Sequence, residues 1–96
     1  MQYVWDQQKR LTNIKKHDID FVDVIGVLED ENALTNTTTE DGEYRYITLS
    51  VGVKPGVLLV AHAEDNENGI AIISASCADK SERRQYYEGL IDEWKF

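Results

Sequence analysis

Glu43-Tyr44-Arg45-Tyr46-Ile47-Thr48-Leu49-Ser50-Val51 reads with a period of two. Arg45, Ile47, Leu49 and Val51 fall on one side, and Tyr44, Tyr46, Thr48 and Ser50 on the other. Successive side chains of a strand point to opposite faces, so this is the pattern of a half-buried strand. Behind it, Pro55-Gly56 marks a turn, and a strongly apolar strand is expected over 57–64. Asn68-Gly69 favours a tight hairpin into a further strand over 70–77. In front of it, Glu40-Asp41-Gly42 is turn-like, and 33–37 reads as an edge strand. The segments together predict a meander of about four antiparallel strands.

Helical signals flank the meander. Asp6 can cap a mostly polar helix over roughly 7–16. Asp20 can cap a second, short helix from Phe21, with Val24, Ile25, Val27 and Leu28 as its apolar stripe. After the meander, Asp79 and Glu82 have the spacing of a capping box. A helix from Lys80 is expected to bring Arg83, Tyr87, Leu90, Ile91 and Trp94 near one face. The expected fold class is α+β: two N-terminal helices, a four-stranded antiparallel sheet and a C-terminal helix.

At 96 residues the chain suffices for a single domain, 1–96, with a modest core. Its 42% apolar content is that of a globular chain rather than a disordered one. No apolar run approaches the ~18 residues of a membrane span. The opening residues do not resemble a signal peptide. The lone Cys77 forms neither an internal disulfide nor a zinc site of its own, and reads as a small, half-buried residue at a strand end. A reducing cytoplasm is the expected compartment. The formal net charge is −8, opposite in sign to the usual nucleic-acid footprint. The charge is uneven, however. Lys9, Arg10, Lys15 and Lys16 gather near the start, and Lys80, Arg83 and Arg84 near the end, so attraction to an anion would come from a local patch. Walker, zinc-spacing, nucleophile-elbow and dinucleotide patterns are absent.

Tyr3-Val4-Trp5-Asp6, with Lys9, Asn13, Lys16-His17 and Phe21 at their intervals, resembles the start of the BrnT toxins. Glu43 and Arg45 before the strand, Leu58-Leu59-Val60 with His62 and Glu64, Ile72-Ile73-Ser74-Ala75, and Ala78 with Glu82-Arg83-Arg84 and Tyr86 continue the resemblance to about Gly89. It implies a RelE-like fold and RNA cleavage without metal or cofactor. It also implies a cognate BrnA-like antitoxin with a ribbon-helix-helix domain, through which alone the pair would touch operator DNA. The chain departs from the family at Ala71 and Ser76, where arginine is usual. A guanidinium fork matches phosphate oxygens, so its loss bears on catalysis. By period two, Ala71 and Ser76 are expected on opposite faces of their strand.

Cleavage of this kind needs a base for the 2′-hydroxyl, a cation for the phosphorane and an acid for the departing 5′-oxygen. The candidate catalytic residues are Lys16, His17, Arg45, His62, Arg83 and Tyr86. Lys9, Lys15 and Arg84 are candidate RNA-binding residues. Each has a plainer reading. His17 could serve the helix end. His62 and Glu64, two apart on a strand, could pair as base and orienting carboxylate or simply be half-exposed. Arg45 could hold a phosphate, or form an ion pair with Glu43 or Asp23. Lys9, Arg10 and Lys15 could be a solvated helix face. Tyr44, Tyr46, Tyr86, Tyr87 and Trp94 could stack bases or serve the core and partner contacts. Two functions therefore stand side by side: an RNA-cleaving toxin, or a weak or inactive homologue that only binds the antitoxin and co-represses.

Overall fold

The computed structural model describes residues 2–40, 42–51, 56–65, 67 and 69–88. In chain order they form β1 (Tyr3–Val4), α1 (Gln7–His17), a 3₁₀ turn (Phe21–Val24) running into the one-turn α2 (Ile25–Leu28), β2 (Leu34–Glu40), β3 (Glu43–Val51), β4 (Val57–Asp65), β5 (Gly69–Cys77) and α3 (Lys80–Glu88). The strands make one five-stranded sheet in the order β1-β5-β4-β3-β2.

The antiparallel meander β2–β5 follows the sequence reading, and the described residues between Glu43 and Ile73 contain no helix. The expected architecture of four antiparallel strands behind two N-terminal helices is nevertheless overturned. β1 lies parallel beside β5, Tyr3 against Ile70 and Val4 against Ala71, which makes the sheet five-stranded and mixed. Two residues are too few for an alternation to show, and their partner comes from the far end of the chain. Gly69 permits the contact: its φ is +99°, and a Cβ there would sit 2.2 Å from the Gln2 carbonyl oxygen. The second helical segment also differs, being one 3₁₀ turn and one α turn. Asp20 caps it as expected, accepting from the Val22 amide at 3.1 Å. Its run of β-branched residues and Gly26 give it little helical propensity.

Both faces of the sheet are used. On one, Leu58, Val60, Ile72 and Ala75 meet Ile19, Phe21, Val24 and Val27, with Trp5 edge-on to Phe21. On the other, Leu49 and Val57 pack with Ala78, surrounded by Leu34, Ile47, Leu59 and Tyr86. β5 is irregular. Ala61 pairs with Ser74, but His62 pairs with Ile72, leaving Ile73 as an inserted residue. One extra residue reverses the parity of everything beyond it. Ala71 and Ser76 therefore stand opposite Ala63 and Leu59, which alternate with Ala61 on a single face of β4. The expectation that they point to opposite sides is overturned: Ala71, Ser74 and Ser76 share the face that carries Ile47, Leu49 and Arg45.

α3 opens on a reciprocal cap. The Asp79 amide donates to Glu82 Oε1, and the Glu82 amide to Asp79 Oδ1, both at 2.8 Å. Tyr86 rather than Tyr87 turns inward, and Tyr87 is 69% exposed. Leu90, Ile91 and Trp94 lie outside the described residues. The Tyr86 hydroxyl and the Ser50 hydroxyl each donate to Asp30 Oδ2 at 2.7 Å, tying α3, β3 and the segment after α2 together.

Candidate active site

Residues three and four apart are neighbours on a helix, so α1 presents Lys9, Asn13, Lys16 and His17 on one side. With Gln8 and Thr12, that side faces Ile73 and Ser74, the bulged residues of β5, across a groove of about 320 Å³. Lys15, Lys16 and His17 occupy the last turn of α1, where the helix dipole favours cations. Lys15 is exposed on the helix, and the groove is lined instead by Lys9, Lys16 and His17. Arg10 points elsewhere and clamps Asp20, with Nε and Nη2 at 2.8 and 2.9 Å from its two carboxylate oxygens.

The groove depends on a residue to which the sequence reading gave no role. Asn13 is 5% exposed. Its Nδ2 donates to the Ile19 and Ala75 carbonyls, both at 2.9 Å, and its Oδ1 accepts from the Ala75 amide at 3.0 Å. The side-chain amide thus pairs with the β5 edge as a neighbouring strand would. The available signal was an asparagine, a weak helix former, in mid-helix on the face that also carries Lys9 and Lys16.

Arg45 lies on the same sheet face as Ser74 but on β3, two strands across and two residues beyond Ile47, the β3 residue level with Ser74, about 12 Å away. Its Nη2 is 3.0 Å from Glu43 Oε2, one of the two ion-pair partners weighed from sequence. His62 projects from the opposite face, the one that packs on Ile19 and Phe21, and it is not among the residues that line the groove. Its Nε2 is 2.8 Å from Thr48 Oγ1, and its ring stacks on Tyr46 at 5.6 Å. Burial lowers its pKa. Glu64 hydrogen-bonds Tyr46, whose phenol is shifted upward first by burial and then by the Glu64 charge. His62 and Glu64 are thus engaged with Thr48 and Tyr46.

Arg83 donates from Nη1 to the Ala78 carbonyl at 2.8 Å, and Arg84 pairs with Glu88 at 2.6 Å on the exposed side of α3. Tyr86 is bound to Asp30. Burial first, then that bond, raises its pKa to about 12. Hydrogen bonds from Ser50 and then Tyr86 hold Asp30 down to about 2. Cys77 is exposed at the end of β5, not half-buried. Among the described residues, no three His, Cys, Asp or Glu side chains assemble as a metal site would require. No helix among them is long and apolar enough to cross a membrane.

The fold is similar to that of the crystal structure of the Brucella abortus ribonuclease toxin BrnT, with a TM-score of 0.64 and 21% identity, covering 83% of this chain and 100% of that one. No functionally curated protein matches the chain. A family model described as the ribonuclease toxin BrnT of type II toxin–antitoxin systems matches residues 5–82. That span takes in α1, β2 to β5 and the capping box of α3, including both walls of the groove, and the chain belongs to the BrnT family of ribonuclease toxins of type II toxin–antitoxin systems.

Proposed function

We propose that this chain cleaves RNA in the groove between α1 and β5 without a metal ion, and that a cognate antitoxin silences it. The observation that supports this most is the convergence of Lys9, Lys16 and His17 on Ser74 in one groove of an otherwise acidic protein. His17 takes the proton of the 2′-hydroxyl, whose oxygen attacks the adjacent phosphorus. The ammonium groups of Lys9 and Lys16 offset the charge gathering on the phosphorane oxygens. Lys16 hands a proton to the departing 5′-oxygen, leaving a 2′,3′-cyclic phosphate and a 5′-hydroxyl. A positioned acid or base contributes ~10²–10⁴-fold. Of the other sequence candidates, Arg45 on the same sheet face suits a flanking phosphate. The partner is a BrnA-like ribbon-helix-helix antitoxin that carries the pair to operator DNA. An acidic segment of it covers the cations of α1 and those of α3, Lys80, Arg83 and Arg84.

One observation favours a second reading, a homologue that only binds the antitoxin. Ala71 and Ser76, where the resemblance implies arginines, leave the face around Ser74 with small uncharged side chains. The deciding experiment assays the purified chain, Lys16→Met and His17→Ala on RNA in EDTA, alongside growth on induction with and without the neighbouring gene. Cleavage in EDTA that falls at least ~10²-fold in both variants supports the toxin reading. Absent cleavage and unimpaired growth, with tight co-purification of the neighbour's product, support the binding-only reading.

A further inference from the structure

We infer that Asn13 is a positioning residue of the groove, holding the cationic face of α1 at a fixed distance from the bulge of β5. The inference rests on the groove being the RNA site. Asn13 stands at the centre of that face: Lys9 lies four residues before it, Lys16 three after and His17 four after, so rotation or retreat of α1 moves all three together. Its side-chain amide, 5% exposed, grips the amide and carbonyl of Ala75, the residue directly after Ser74. Its second donor hydrogen goes to the Ile19 carbonyl, just beyond the end of α1, so one amide ties the helix, its exit and the strand.

The outer edge of β5 is held at two places. β1 pairs with it as far as Ala71, and Asn13 takes over at Ala75. The inserted Ile73 and the groove-lining Ser74 lie between these anchors. Releasing one anchor frees the bulge on the side that faces the lysines. Lys16 and His17 are exposed side chains on a surface helix, and they take their position from the helix that Asn13 anchors to β5. Misplacing reacting groups by about 1 Å can cost ~10²-fold in rate, and the cost falls on groups that Asn13 itself never touches.

The test separates this role from a general loss of stability. Asn13→Leu keeps the approximate shape and removes all three bonds, whereas Asn13→Ala leaves room for water to satisfy Ala75 if the leucine variant does not fold. Val27→Ala, in the core beneath the 3₁₀ turn and remote from the groove lining, serves as a destabilised control. All are compared at a temperature where circular dichroism shows each fully folded. Binding is read with a 2′-O-methyl oligoribonucleotide, which cannot be cleaved by 2′-hydroxyl attack, and single-turnover cleavage with the matching RNA. The expected result is at least ~10-fold weaker binding or slower cleavage for an Asn13 variant, with Val27→Ala within about twofold of the parent. Equal values for Asn13 and Val27 variants overturn the inference. A Lys16→Met/His17→Ala chain that binds and cleaves like the parent shows instead that the groove is not the RNA site, and removes the premise.

Discussion

At the scale of the residue, Asp30 carries the clearest prediction. Its carboxyl is held near pKa 2, against 3.8 ordinarily, chiefly by the hydrogen bonds of Ser50 and Tyr86. A folded pKa below the unfolded one means the stabilisation is complete above the unfolded value and is lost as pH falls through the folded one. Asp30→Asn should therefore cost about 1–3 kcal/mol near pH 7, and urea titrations should show its gap from the parent narrowing between pH 5 and pH 2. A gap constant with pH would show that the charge of Asp30 contributes nothing. Tyr86 is the other end of the bond. Its pKa near 12 lies above the ordinary value, so its share persists below pH 10 and fades as pH rises through 12. Tyr86→Phe should lower stability by roughly 1.5–3 kcal/mol, the range for a hydrogen bond to a charged group. RNA cleavage by the folded variant should stay within about twofold of the parent. A larger fall at equal folded fraction would return Tyr86 to the catalytic candidates.

At the scale of the element, the bulge in β5 bears on Ala71 and Ser76, the two positions where the resemblance implies arginine. Ala71 and Ser76 oppose Ala63 and Leu59, four residues of β4 apart or roughly 13 Å, with Ser74 between them on the same face. Two guanidinium groups reaching inward could serve one phosphate. We predict feeble cleavage by the parent and a gain of ~10²–10³ in rate for a restored clamp. Ala71→Arg with Ser76→Arg should exceed the product of the single gains, because groups acting as a unit are not additive. Independent gains in single-turnover assays would mean the two sites face different phosphates. The parallel strand β1 has its own weak point. Gly69→Ala forces a non-glycine residue to φ near +99° and drives a Cβ into the Gln2 carbonyl. A loss of about 1–3 kcal/mol is expected, and hydrogen exchange at the Ile70 amide, bonded to Gln2 at 2.9 Å, should accelerate.

At the scale of the whole molecule, a net charge of −8 opposes RNA everywhere except where cations cluster. Binding should therefore depend on few phosphates. If Lys9, Lys16 and His17 supply the contacts, the slope of log affinity against log salt for a single strand should be no steeper than about −2, and Lys16→Met should flatten it by about 0.7. A slope several times steeper would point to a wider surface that includes Arg83 and Arg84.

The sequence by itself determined the elements whose signals are local. Asp6, Asp20 and the Asp79–Glu82 box cap their segments through contacts two or three residues away, and β3 shows its alternation in nine consecutive residues. The cations of the candidate groove were likewise legible as a cluster near the start of the chain. Tertiary structure decided what depends on distant partners. β1 exists because β5 offers an edge to two residues that have no pattern of their own. The faces of Ala71 and Ser76 were set by one inserted residue, which period-two counting cannot detect. Folding also turned Lys16 and His17 toward Ser74, while keeping His62 out of the groove and on Thr48. A helix reports its own face in sequence, but the strand edge it meets is set by packing and by hydrogen bonds as remote as that between Asn13 and Ala75.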